Sequence, residues 1–173
     1  MKKTLIICDI DNTILKYYDI PYEFINKLVK EDFGTLYDDK EFIKYVNEYV
    51  SYYKLINYKK IIHTDNDGFV SLIEKLGNDS EICFLTARKS TFKEKTIEQL
   101  SLIGINTNKY DIYYTDGCLD KGDYILKNMS YIIKKYENII FIDDYKICIE
   151  SVKKHFPQIK CFQFIIDNID KKL

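Results

Sequence analysis

The stretch Thr4-Leu5-Ile6-Ile7-Cys8-Asp9-Ile10-Asp11-Asn12-Thr13 decides how the rest of the chain is read. Five residues suited to a fully buried strand run directly into two carboxylates, an amide and a hydroxyl. Alternate side chains of an extended backbone share a face, so Asp9 and Asp11 project the same way from the strand end. Asn12 and Thr13 then supply turn chemistry. Two acids held on one side of a backbone either repel or share a cation. A lone Asp-x-Asp also fits a strand that merely ends in polar turn residues, so the partners it meets elsewhere in the chain carry the decision.

Apolar strand-type runs recur at 82–85, 112–114, 139–142 and 161–166. Between the later ones lie amphipathic stretches at 91–103, 122–136 and 145–155, with apolar residues three and four apart. Alternation of this kind predicts β-α units around a parallel sheet of five strands. Gly104 and Pro157 stop two of the helices. Residues 17–62 break the rhythm, with helical patterns at 23–29 and 40–53 and no strand before the next helix at 68–76. They read as an inserted helical subdomain, with Tyr45, Tyr49, Tyr52 and Tyr53 packing between its two helices. The expected division is therefore 1–16 with 63–173 as the core and 17–62 as the insert.

In a parallel sheet of this type ligands bind beyond the carboxyl ends of the strands. Reading off the residues that follow each apolar run gives Asp9 and Asp11, then Thr86 and Arg88, then Lys121, then Asp143 and Asp144. Clustered carboxylates suit a hard divalent cation, above all Mg²⁺, whereas an ammonium and a hydroxyl suit phosphate oxygens. The set describes a phosphate held by Lys121 and Thr86 beside a cation held by Asp9 and Asp143. A phosphorus atom lying against Asp9 is open to attack by that carboxylate, and Asp11 is placed to protonate the leaving oxygen and then activate water. Arg88 is a candidate substrate-phosphate contact. Thr13, Asp65, Asp67 and Asp123 read as caps or turns, and His63 and His155 as too isolated for a catalytic pair.

Composition narrows the partners. The chain has 173 residues, 46% apolar and 31% charged, enough for one domain with a real core. A net charge of −1 gives no general attraction to nucleic acid or membrane, although Arg88, Lys89 and Lys93 follow the second core strand closely. Five widely spaced cysteines form no zinc pattern and point to a reducing, cytoplasmic setting. Met1-Lys2-Lys3 precedes an apolar run too short for a secretory signal or a membrane span. Oligomeric state leaves no mark on the sequence.

Asp9-x-Asp11-x-Thr13, Thr86, Lys121 and Asp143-Asp144, in this order, resemble the four motifs of the haloacid dehalogenase superfamily of phosphohydrolases and span nearly the whole chain. The segment from Leu85 through Arg88 to Leu100 is similar to the acid-phosphatase-like branch. The resemblance implies a Rossmann-like three-layer α/β fold, sheet order 5-4-1-2-3, with 17–62 as a small helical cap that selects the substrate. It also implies Asp9 as nucleophile and metal ligand, Asp11 as general acid/base with its carbonyl on Mg²⁺, Thr86 and Lys121 on phosphate, and Asp143 and Asp144 at the metal. The implied activity is Mg²⁺-dependent hydrolysis of a phosphate monoester, most simply that of a small molecule. Competing expectations are a module of the same fold that binds phosphate without turnover, and a phosphatase of nucleic-acid ends.

Overall fold

The structure is a computed structural model and describes residues 4–17, 61–63, 75–76 and 80–164. The chain divides into two compact units, Met1–Lys16 with His63–Leu173, and Tyr17–Ile62. The helices expected at 23–29 and 40–53, the segment 68–74, the four insert tyrosines, Asp65 and Asp67 lie outside the described residues.

A five-stranded parallel sheet dominates. Its strands are β1 (Thr4–Cys8), β4 (Ser80–Thr86), β5 (Asp111–Tyr114), β6 (Asn138–Asp143) and β7 (Lys160–Gln163). They lie in the order β5-β4-β1-β6-β7, which is the expected 5-4-1-2-3 read from the opposite edge. β1 is central, with Thr4 in register with Ser80 and Asn138 and Cys8 with Phe84 and Ile142. Both faces of this centre are dry. Leu5, Ile7, Cys83 and Leu85 join a core with Ile125, Met129, Cys148 and Val152, while Ile6, Cys8, Ile82 and Phe84, on the opposite face by alternation, are buried too. Burial on both faces is why these strands read as unbroken apolar runs.

Helix α1 (Lys93–Leu102) follows a 3₁₀ turn, Ser90–Phe92. It stops at Gly104, whose φ of +86° is open to glycine at no steric cost. The connection from β5 to β6 holds α2 (Lys121–Tyr124), a π-helical stretch at Ile125–Met129 and α3 (Ser130–Ile133). Helix α4 (Lys146–His155) links β6 to β7. No helix among the described residues is long and apolar enough to cross a membrane.

The structure corrects one expectation. Short strands β2 (Leu15–Tyr17) and β3 (Ile61–His63) form a two-stranded sheet at the two ends of the stretch read as strand-free. Three residues are too few to establish a period of two. β7 ends at Gln163, and residues 165 and 166 of the expected strand lie outside the described residues.

Candidate active site

Asp9 continues β1 by one residue, its N–H donating to the Ile142 carbonyl at 2.9 Å. The chain then turns. Asn12 takes a φ of +57°, a left-handed conformation that asparagine tolerates better than most residues, and its N–H donates to the Leu15 carbonyl at 2.6 Å. The turn lays the buried Thr13 hydroxyl over Asp9, 3.4 Å from Oδ2.

Lys121 opens α2, where the helix dipole disfavours a cation. Asp120 caps that helix, accepting from the Asp123 N–H at 2.9 Å. Ser151 of α4 accepts from the Gly122 N–H at 2.8 Å and donates in turn to Asp120. On the other side the loop ahead of Lys121 is tied to the end of β4 by Thr115 N–H to Thr86 O at 2.9 Å and Gly117 N–H to Ala87 O at 2.8 Å. Held between these anchors, Lys121 reaches inward with 2% of its side chain exposed, and Nζ sits 2.5 Å from Asp9 Oδ1 and 2.7 Å from Asp143 Oδ2.

Asp143 ends β6, and its Oδ1 accepts from the Tyr145 N–H at 2.8 Å. Asp9, Asp143 and the half-buried Asp144 each bring a carboxylate oxygen within 4.8 Å of the others. One ammonium shared by two buried carboxylates cannot neutralise both. Burial raises Asp9 to about 7 against the pull of Lys121, with Asp143 and Asp11 pushing the same way. Burial and then Asp143 raise Asp144 to about 6. Burial pulls Lys121 down, but Asp9 and Asp143 outweigh it and the ammonium lies above its ordinary value. Three hard oxygen donors around surplus negative charge fit a divalent cation such as Mg²⁺.

Across from Lys121, Thr86 is fully buried at the end of β4. Its hydroxyl accepts from the Arg88 N–H at 3.2 Å and donates to Asp11 Oδ2 at 3.4 Å. Arg88, expected at the phosphate, is buried and places its guanidinium on Asp11, with Nε 2.9 Å from Oδ2 and Nη2 2.8 Å from Oδ1. All seven residues singled out from the strand ends thus lie in this one region. Among the described residues, every buried charged side chain belongs to it: Asp9, Arg88, Lys121 and Asp143.

Three supporting residues escaped the sequence reading. Asp120 caps α2 in the place considered for Asp123, and the spacing Asp120-x-x-Asp123 is a legible N-terminal signal. Ser151 and Thr96 look like ordinary polar residues on helices, and nothing local marks them. His155 lies 4.0 Å from Asp120. All five cysteines are free.

A parallel sheet in this order, with two aspartates ending its central strand, defines a protein with the haloacid dehalogenase fold. Solved structures of that fold align along nearly the whole chain. A haloacid dehalogenase-like hydrolase, SP0104 from Streptococcus pneumoniae, is 16% identical over 94% of this chain and 84% of its own, with a TM-score of 0.65. The putative beta-phosphoglucomutase of Thermotoga maritima is 12% identical over 97% of this chain and 88% of its own, at 0.63. The enzyme BT-2542 of Bacteroides thetaiotaomicron, solved with magnesium and inorganic phosphate, is 11% identical over 92% and 93%, at 0.56. No curated protein matches the sequence. The chain belongs to the family described as "Protein of unknown function (DUF2608)", whose model matches residues 1–167.

Proposed function

We propose that this chain is a Mg²⁺-dependent phosphohydrolase that cleaves a phosphate monoester through Asp9. The observation that carries the reading is the confinement of every buried charge among the described residues to one site, with an ammonium between two acids. Burying charge costs several kcal/mol per ion (roughly, in real proteins), and a fold that needed only stability has cheaper ways to fill this space. Fold likeness to BT-2542, solved with magnesium and inorganic phosphate, is consistent with it.

An Asp9 carboxylate oxygen attacks phosphorus, forming an O–P bond as the bond to the ester oxygen breaks, and Asp11 gives its proton to that oxygen. Water then attacks the same phosphorus and passes a proton to Asp11. The Asp9–phosphorus bond breaks, and both aspartates return to their starting state. Lys121 and Thr86 donate to the phosphate oxygens throughout. Asp9, Asp143, Asp144 and the Asp11 carbonyl would hold Mg²⁺, which supplies positive charge that keeps Asp9 ionised and offsets the charge of an anionic substrate. A phosphorylated small molecule is the substrate class this reading favours.

Hydrolysis of a generic aryl phosphate with and without Mg²⁺ tests it. Wild-type activity that requires the metal and falls by more than about a thousandfold in Asp9→Asn is expected. Equal rates in the two proteins, the outcome for a module that only binds phosphate, overturn the nucleophile.

A further inference from the structure

We infer that Arg88 is a positioning residue for Asp11, braced by Thr96, and that this pair aims the carboxylate at the leaving group; the inference rests on the phosphohydrolase reading above. The Asp11 side chain is partly open, at 32% exposure, whereas that of Arg88 is 4% exposed. The guanidinium therefore grips a partly exposed carboxylate from a position closed to solvent. It uses the fork formed by Nε and Nη2 to hold both Asp11 oxygens, at 2.9 and 2.8 Å. A two-point contact between two planar groups fixes the carboxylate's rotation as well as its place. The third nitrogen, Nη1, donates to the Thr96 hydroxyl at 3.0 Å. That hydroxyl is itself fixed, donating to the Phe92 carbonyl at 2.9 Å, and Thr96 is fully buried.

The result is a relay from the first turns of α1, through Thr96 and Arg88, to the carboxylate two residues beyond Asp9. Proton transfer needs heavy atoms within roughly 2.6–3.2 Å, a tolerance that a part-exposed aspartate with two free torsions does not keep unaided. Asp11, open in part to solvent, enters the first step carrying a proton taken from it, gives that proton to the ester oxygen as the P–O bond breaks, and later takes one from the attacking water; Arg88 touches neither the ester nor the water. A lysine at position 88 offers one point of attachment in place of the fork.

Two esters of different leaving group separate aiming from binding. A 4-nitrophenyl ester releases a stable phenolate that needs little protonation, while methyl phosphate releases an alkoxide that depends on it. In Arg88→Lys the rate ratio of methyl to nitrophenyl ester should fall by roughly a hundredfold, the scale of general-acid assistance, with KM for each nearly unchanged. Thr96→Val should move the ratio the same way by less. Added guanidinium should restore methyl phosphate hydrolysis in Arg88→Ala, and where that variant does not fold the other two carry the test. An equal fall on both esters with a raised KM overturns the inference and makes Arg88 a phosphate ligand. Wild type inert on both esters, or Asp9→Asn as fast as wild type, overturns the phosphohydrolase reading and the positioning role with it.

Discussion

Lys121 keeps a positive charge almost wholly out of water, 2.5 and 2.7 Å from two buried carboxylates. Removing one partner of such a group leaves the others unpaired, at a cost of about 3–5 kcal/mol. Lys121→Met should lose about that much stability in urea denaturation at pH 8 without added metal. The acids give the pH dependence its sign. Asp9 at about 7 and Asp144 at about 6 bind protons more tightly folded than unfolded. Their contribution is fully present below the ordinary carboxylate value near 3.8 and is lost as pH rises through 6 and 7. Lys121, shifted upward, stays charged across that window. The metal-free protein should therefore melt at a lower temperature at pH 8 than at pH 5, and a flat profile between the two would show that Asp9 and Asp144 do not bind protons more tightly in the folded state.

Helix α2 is short, and its place depends on α4 coming close. A Cβ on Gly122 would collide with the backbone carbonyl of Ser151, and the Gly122 N–H needs the Ser151 hydroxyl. Gly122→Ala should cost about 1–3 kcal/mol, the range for overpacking a tight site, in chemical denaturation, and should lower phosphate affinity because Lys121 is the preceding residue. This contact also marks the limit of what the sequence discloses. The strand ends were legible because two-sided burial forces unbroken apolar runs, so that Asp9, Thr86 and Asp143 each announce where a run stops. Lys121 was legible as a charge at the wrong end of a helix. Gly122 and Ser151 were not, because 29 positions separate them and no local period records which helices touch; Thr96 was not, because nothing in the sequence says that Arg88 turns back to it across eight positions. Arg88 was legible as a charge near the site but not as the partner of Asp11, since 77 positions separate the two and the direction of a side chain has no sequence signal. Strands β2 and β3 were too short to read.

For the molecule as a whole, a bound cation that recognises only the folded site adds stability by mass action. Mg²⁺ at a hundred times its dissociation constant should add about 2.7 kcal/mol, read as a rise in melting temperature that a chelator reverses. Asp143→Asn should abolish most of that rise; a full response in the variant would place the cation elsewhere. The central position of β1 has a different consequence. The strand that carries Asp9 pairs with residues beginning at Ser80 on one side and Asn138 on the other, so the first strand synthesised is among the last to find both neighbours. Such high contact order slows folding relative to a chain built from local pairs. On the ribosome, Asp9 waits first for Lys121 and then for Asp143 to emerge, so no shorter nascent chain holds both groups against it.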